Sequence, residues 1–258
     1  MIRPGKESDC MTGITSVTFR RLSTQEIVDL TVKAGLDGIE WGSDVHVPPD
    51  GTDIASAVRK QTEGAGLRVL SYGSYYRLME HSDPQTAFLP YLRSAEALNA
   101  PNIRIWPGNI SPDKADEKYY KSAAQELREI CAAADEYGIT VSMEYHRNSL
   151  TETPESALKL IRMADCGNFY TYWQPDPDLN CEENRKAAEM VRDYVSNVHV
   201  FYWENNEKER LIKGAADWKI YLKALHLDKS SSSYLMEFVV DESRRIFLED
   251  AEILKSFF

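Results

Sequence analysis

Several features that would define a protein class are missing from this chain of 258 residues. The four cysteines have no C-x-x-C or other spacing typical of a metal site, which indicates reduced thiols in a cytoplasmic protein. No apolar run approaches the roughly 18 residues that span a bilayer. The segment Met1–Gly13 lacks the apolar core of a secretion signal. We therefore expect a cytoplasmic protein with no membrane partner.

Positive charge is in the minority. The chain has 30 Lys and Arg against 41 Asp and Glu, a formal net charge of -11, which disfavours nucleic acid as a partner and favours a small polar or neutral substrate. Hydrophobic residues make up 43% and charged residues 28%, so disorder and coiled coil are excluded. No linker or low-complexity segment divides the chain. We predict a flexible extension over residues 1–11 and one domain over residues 12–258.

Short apolar segments alternate with helical patterns along the whole chain, which is typical of parallel β/α units. One helical pattern begins with Ser23 and Glu26 in a capping box and ends at Gly35. The strand predictions are Gly13–Phe19, Gly38–Trp41, Arg68–Tyr72, Asn102–Trp106, Thr140–Tyr145, Phe169–Gln174, Val195–Phe201 and Tyr234–Val239.

Two α/β folds compete for this pattern of strands and helices. A doubly wound sheet usually has a Gly-rich phosphate turn after its first strand, and Phe19–Ser23 has none. A length near 250 residues is that of an α/β barrel. The sequence therefore predicts a single (β/α)8 TIM barrel, with its chemistry at the C-terminal ends of the strands.

Side-chain alternation predicts which polar groups point into the barrel. In the fifth strand, Val141, Met143 and Tyr145 share one face, and Glu144 and His146 share the other. The apolar face is expected to pack against the helices. Glu144 and His146 are therefore predicted to point inward.

The last three strands each add one inward group that could bind a metal: Gln174, His199 and Glu237, with Phe238 pointing outward. Alone, each residue also fits a solvated strand end or a hydrogen-bonded core position. Together with Glu144 they form a set on four consecutive strands. Burying two carboxylates without a cation costs several kcal/mol or protonates one of them. The set therefore predicts a divalent ion, Mn²⁺, Mg²⁺, Zn²⁺ or Co²⁺.

Other polar and aromatic residues near the same end of the barrel are candidates for binding a substrate. They are Glu40, Arg104, Trp106 and His146 by alternation, and His46 in the loop after the second strand. Arg104 could contact a hydroxyl or acid group, and Trp106 could stack on an apolar sugar face. The alternative is that these side chains fill the barrel mouth and pair with one another.

Several segments resemble the xylose isomerase-like TIM barrels, the sugar phosphate isomerase/epimerase and AP endonuclease family 2 type. This family includes sugar epimerases and isomerases, inosose dehydratases and endonuclease IV. The resemblance covers nearly the whole chain, and the E-x-H…T-x-T-P and G-x-x-D-W-x-x-x-L-x-x-L segments carry it together. The quoted stretches are GLDGIEWG (Gly35–Gly42), NIRIWPG (Asn102–Gly108), MEYHRNSLTETPESALKLI (Met143–Ile161), VHV (Val198–Val200) and KGAADWKIYLKAL (Lys213–Leu225).

The resemblance implies a metal held by Glu, Asp, His and Glu at the ends of strands five to eight. Glu144, His199 and Glu237 match that pattern, whereas Gln174 stands at the Asp position. A glutamine oxygen can coordinate a metal but removes one negative charge. The substrate-binding His of the family falls at Pro177, so that contact is missing.

The resemblance implies a metal-dependent isomerase or epimerase of a carbohydrate or polyol ketone. Glu144 and Glu237 would move protons at carbon through a metal-stabilised enediolate. A lyase of the inosose dehydratase type and a non-catalytic sugar-binding barrel are the alternatives. An endonuclease would need further His and Asp ligands, and this acidic chain has five histidines in all. The sequence is compatible with a homo-oligomer and does not determine the oligomeric state.

Overall fold

The computed structural model describes residues 10–225 and 232–258. In that part of the chain, ten strands are present: β1 Met11–Thr15, β2 Gly38–Gly42, β3 Arg68–Arg77, β4 Asn102–Trp106, β5 Thr140–Met143, β6 Phe169–Trp173, β7 Val195–Val200, β8 Tyr202–Glu204, β9 Glu207–Glu209 and β10 Ser233–Met236. Eight of them form a closed barrel in the order β1-β10-β7-β6-β5-β4-β3-β2. All neighbouring barrel strands are parallel. Strands β8 and β9 form a separate antiparallel hairpin at the end of β7.

Eight α-helices surround the barrel within the described residues: α1 Thr24–Ala34, α2 Thr52–Gly64, α3 Pro84–Leu98, α4 Glu117–Asp135, α5 Pro154–Ala164, α6 Cys181–Val191, α7 Ala215–Ala224 and α8 Arg244–Lys255. The predicted capping box of Ser23 and Glu26 is present at the start of α1, and Gly35 ends α1 in the left-handed conformation. The prediction of a single (β/α)8 TIM barrel is confirmed. No helix in the described ranges is long and apolar enough to cross a membrane.

Both ends of the first predicted strand differ from the structure. The strand begins at Met11, beside the buried Cys10. It stops at Thr15, and the chain continues as a 3-10 helix over Ser16–Phe19. The predicted extension over residues 1–11 falls mostly on residues 1–9, which lie outside the described residues.

The interior of the barrel has an apolar lower layer beneath a charged upper layer. Leu70, Tyr172 and Leu235 form a small buried cluster inside the barrel, apart from the main core between strands and helices. Gly13 lets this cluster close, since an added Cβ there would lie 2.6 Å from the Gly38 carbonyl oxygen and 2.6 Å from Leu70 Cδ1. The apolar layer therefore supports the polar strand ends above it.

This packing predicts that Gly13→Ala lowers the free energy of unfolding by about 1–3 kcal/mol, because the new methyl group overpacks the barrel floor. Gly64→Ala, at the end of α2, is the matched control, since no described atom lies within 4 Å of an added Cβ there. We expect the control to be neutral or slightly stabilising. Urea unfolding of both variants measures the difference, and equal stabilities would contradict the packing argument.

Candidate metal and active site

Charged side chains gather at the C-terminal end of the barrel. Glu40 on β2, Arg104 on β4 and His199 on β7 are fully or almost fully buried. Glu144 and Glu237 each lie one residue beyond a strand, and both are buried. Their backbone N–H groups still donate to the neighbouring strands, to Ile105 O and Val200 O respectively. The ladder therefore holds both carboxylates at the level of the strand ends.

Arg104 connects two of these carboxylates. Its Nε lies 3.2 Å from Glu40 Oε1, and its other guanidinium end forms an ion pair with Glu144 Oε2. Burial alone would raise the pKa of Glu40, but the charges of Arg104 and His199 outweigh it and lower that pKa to about 2. Glu40 is therefore a carboxylate at neutral pH.

His199 lies between the carboxylates, with its two ring nitrogens facing different groups. Nε2 lies 3.4 Å from Glu40 Oε1. Nδ1 lies 3.3 Å from Glu237 Oε2 and 3.9 Å from Glu144 Oε1. Burial alone would lower the pKa of His199, but Glu237 and Glu40 raise it to about 9. The surrounding carboxylates thus favour a positive charge at this position.

Tyr172 joins the apolar layer to the charged layer, a role that strand alternation does not predict. Its hydroxyl donates to Glu40 Oε2 at 2.6 Å and accepts from Asn197 Nδ2 at 2.6 Å. Its ring meets the His199 ring edge to face, with centroids 5.1 Å apart. Burial and the nearby Glu40 charge raise the pKa of Tyr172 well above its usual value, so the phenol stays protonated.

The donor set fits a divalent metal. One ligand atom each from Glu144, His199 and Glu237 lies within 4.8 Å of the others, and all three residues are buried. Gln174 Oε1 lies 3.1 Å from His199 Nδ1. Glu237 Oε2 accepts no hydrogen bond from any described residue. With a neutral imidazole, the three glutamates and Arg104 of this cluster sum to a charge that a divalent cation would balance.

A pocket with a volume of about 490 Å³, which includes the space at its open mouth, has Gln174 in its lining. Phe201, Trp203 and Phe238 line one side of it, with ring centroids 5.3–6.2 Å apart. We call these three residues the aromatic wall. Trp203 lies on β8, so the hairpin supplies part of the wall. The pocket lining thus combines this aromatic wall with polar groups, and Gln174 is the candidate ligand that it includes.

Two residues of the pocket lining, Phe238 and Tyr145, were assigned by strand alternation to the helix side. Phe238 was predicted to face the helices, and this prediction is wrong because its φ of 56° turns the chain directly after Glu237. Tyr145 was also assigned to the helix side, and it belongs to the main core there; it also lines the pocket, one residue past Glu144, where β5 has ended. The Tyr145 hydroxyl is buried and has no hydrogen-bond partner among the described residues.

The other predicted substrate-binding residues occupy two environments. His146 lines the pocket, donates from Nδ1 to Arg147 O at 2.7 Å and packs edge to face on Trp106. His46 lies outside the pocket, and its two ring nitrogens contact Leu22 O at 3.1 Å and Ser16 Oγ at 3.0 Å. Burial lowers the pKa of His46. The structure thus brings His146 to the pocket and gives His46 a place in the loop packing.

Comparison with known proteins identifies the family. The family model described as xylose isomerase-like TIM barrel matches residues 28–257. The chain belongs to the xylose isomerase-like TIM barrel family. No curated protein is significantly similar to it in sequence.

Several solved structures share the fold at low sequence identity. A probable 3-DHS dehydratase, AsbF, from Bacillus anthracis superposes with a TM-score of 0.79 at 15% identity, covering 95% of this chain and 98% of that one. D-allulose 3-epimerase from Methylomonas sp. gives 0.76 at 14% identity, covering 97% and 99%. The 3-keto-D-glucoside 4-epimerase YcjR from E. coli gives 0.74 at 14% identity, covering 96% and 99%.

The buried ion pairs predict a pH-dependent loss of stability in Arg104→Gln. Without the guanidinium, Glu40 and Glu144 stay buried without their cation, which costs about 3–5 kcal/mol near neutral pH. The low pKa of Glu40 stabilises the wild type above the ordinary value of 4.5, and that contribution is lost as pH falls towards 2. The difference in free energy of unfolding between the wild type and Arg104→Gln should therefore become smaller in acid.

Urea unfolding of the metal-free proteins, from about pH 7 down to about pH 2.5, measures the difference in free energy of unfolding between wild type and variant across that window. Arg185→Gln is the control, because Arg185 forms half-exposed ion pairs with Glu182 and Glu189 on the surface of α6. Its loss should cost less than about 1 kcal/mol. A difference for Arg104→Gln that stays constant or widens in acid would show that the Glu40 pair does not stabilise the fold.

Proposed function

We propose that this protein is a divalent-metal-dependent isomerase or epimerase of a carbohydrate or polyol ketone. The observation that carries the proposal is the placement of two buried carboxylates, Glu144 and Glu237, at 3.9 Å and 3.3 Å from the Nδ1 atom of His199. Two such carboxylates provide a proton acceptor and a proton donor for one substrate carbon. The names of two structurally similar proteins, a D-allulose 3-epimerase and a 3-keto-D-glucoside 4-epimerase, support the same class.

Glu144, Gln174, His199 and Glu237 would hold the metal, which when bound polarises a substrate carbonyl and makes the adjacent C–H more acidic. Gln174 brings an uncharged oxygen to this set. Arg104 keeps one oxygen of Glu144 engaged. We therefore expect weaker metal affinity than four charged or imidazole ligands would give, and a site that still selects divalent ions.

Proton transfer is assigned to the two glutamates. Glu237 Oε2 accepts no hydrogen bond from the described residues and lies 3.3 Å from His199 Nδ1, so it can take up a proton without breaking a hydrogen bond. Glu144 is ion-paired with Arg104, which favours its ionised form. One carboxylate removes a proton from the carbon next to the carbonyl. In an isomerase the other carboxylate returns a proton to the neighbouring carbon, and in an epimerase it returns a proton to the opposite face of the same carbon.

The pocket beside Gln174 would hold the rest of the substrate. The aromatic wall offers flat apolar surface of the kind that packs on the C–H face of a sugar. The hydroxyl of Tyr145 and the ring of His146 would bind substrate hydroxyls, with Trp106 supporting the His146 ring. Arg104, Glu40 and His46 are tied into other contacts and would act by supporting the site.

A lyase is the second candidate, favoured by the structural likeness to a probable 3-DHS dehydratase. The same two carboxylates could remove a proton next to a carbonyl and then protonate a β-hydroxyl as it leaves. The position of the leaving group in the substrate separates the two reactions. Product analysis therefore decides between them.

The first test follows solvent deuterium entering a panel of ketoses and inososes in D₂O by NMR, with the metal-loaded protein. We expect exchange next to the carbonyl, with a new epimer for an isomerase or an alkene for a lyase. Glu144→Gln and Glu237→Gln should each reduce exchange by about 10²–10⁴-fold, because each removes a proton-transfer group.

Glu126→Gln is the control for this test. Glu126 is buried, but it accepts hydrogen bonds from the Tyr76 hydroxyl and the Met79 N–H outside the site. Its substitution should leave the exchange rate per folded molecule unchanged. Exchange that persists in either site variant would overturn the assignment of that glutamate, and no exchange by the metal-loaded wild type would overturn the proposed reaction for this panel.

A second test concerns the unpartnered hydroxyl of Tyr145. Tyr145→Phe should raise KM for a substrate found in the first test by about 5- to 10-fold, the value of one hydrogen bond, and leave the free protein as stable as before or more stable. Tyr120→Phe is the control, because the buried Tyr120 hydroxyl is bonded to Ser156 Oγ at 2.7 Å in the helical layer. That control should lose stability and keep KM. An unchanged KM in Tyr145→Phe would remove Tyr145 from the substrate pocket.

A further inference from the structure

We propose that Glu40 is a positioning residue that determines which nitrogen of His199 faces the metal ligands. Glu40 would hold the proton on Nε2 and so leave the Nδ1 lone pair free for the metal. The inference rests on the metal dependence proposed above and goes beyond it, since it assigns a task to a residue outside the ligand set.

The two sides of the imidazole differ in what they contact. Nε2 lies 3.4 Å from Glu40 Oε1 and has no hydrogen-bond partner of good geometry among the described residues. Nδ1 faces oxygens of Glu237 at 3.3 Å and Gln174 at 3.1 Å. Both nitrogens therefore face oxygens that accept, but only Nδ1 faces the ligand set. A metal held by that set would take the Nδ1 lone pair, which leaves the proton of a neutral imidazole on Nε2, beside Glu40. A histidine ligand that donates its second N–H to a carboxylate is oriented for metal binding by that carboxylate.

Glu40 is fixed well enough to orient another group. Its Oε2 accepts the Tyr172 hydroxyl at 2.6 Å, and its Oε1 accepts from Arg104 Nε at 3.2 Å. The Tyr172 ring also packs against the His199 ring at an interplanar angle of 84°. The carboxylate is fully buried and has little room for another rotamer. A His199 ring flipped by 180° would keep its plane against Tyr172 but would lose the Nε2 contact with Glu40.

A competing explanation is that Glu40 only balances the charge of Arg104, its ion-pair partner. Charge balance alone would make Glu40 important for stability and would leave the nitrogen that binds metal undetermined. Orientation of His199 makes a narrower claim, namely that metal binds Nδ1 while Nε2 keeps a strongly hydrogen-bonded proton. The two explanations therefore differ in whether Glu40 determines which nitrogen of the His199 ring binds the metal.

The first measurement is the dissociation constant of Mn²⁺ for the full chain, by calorimetry. Glu40→Gln keeps the shape of the side chain and removes its charge, and we expect it to weaken Mn²⁺ binding by about 10- to 100-fold. Tyr172→Phe removes the hydroxyl that fixes Glu40 and should weaken binding by a smaller factor, about threefold. Glu126→Gln, in which a buried glutamate bonded to Tyr76 loses its charge, should leave the constant within about twofold.

The second measurement identifies the nitrogen. In ¹⁵N-labelled protein loaded with Zn²⁺, long-range ¹H–¹⁵N spectra should show the metal on Nδ1 of His199 and a downfield, slowly exchanging proton on Nε2. In Glu40→Gln that proton should move upfield and exchange faster. His199→Gln assigns the signals among the five histidines of the chain. If Glu40 only balanced the charge of Arg104, the Nε2 proton would keep its chemical shift and its exchange rate in Glu40→Gln.

The outcomes separate this inference from the proposed function. If the wild type binds Mn²⁺ and exchanges substrate protons, but Zn²⁺ sits on Nε2 or Glu40→Gln binds Mn²⁺ as tightly as the wild type, the role of Glu40 is wrong and the proposed function stands. If the wild type binds neither ion, the metal dependence and the role of Glu40 are both overturned. If the ions bind on Nδ1 but no substrate exchanges, the role of Glu40 stands without the proposed reaction.

Discussion

A cluster of buried charges at the C-terminal end of the barrel imposes the main constraint on this structure. Arg104 lies between Glu40 and Glu144, and His199 lies between Glu40 and Glu237. Ions this deeply buried are stable only if each has an opposite charge or a hydrogen-bond partner. Glu40 and Arg104 lie within their strands and Glu144 and Glu237 lie just past theirs, so the closed barrel has to bring side chains from different strand positions together.

Tyr172 links this charged layer to the rest of the core. Its ring belongs to the small apolar cluster with Leu70 and Leu235, and its hydroxyl reaches up to Glu40. Apolar packing below thus determines the position of a carboxylate above. A change in the packing of the barrel floor would therefore shift Glu40 through Tyr172, because closely packed protein interiors transmit strain.

The sequence predicted the barrel and the inward placement of Glu144, His199 and Glu237, because alternation along a regular strand depends on backbone geometry alone. Their roles as ligands and acid–base groups stay predictions. Alternation failed at Phe238, which lies past the end of β10. A positive φ at a phenylalanine cannot be read from a sequence, since nothing local favours it. The hairpin that carries part of the aromatic wall was likewise not predicted.

The left-handed backbone at Phe238 follows directly after Glu237, so the aromatic wall and a candidate proton-transfer group share one peptide unit. Such a conformation costs a bulky residue of the order of 1–3 kcal/mol. Contacts of the Phe238 ring with Phe201 and Trp203 help to offset this cost. The position of the Phe238 ring in the wall and the orientation of the Glu237 carboxylate are therefore coupled through one backbone torsion.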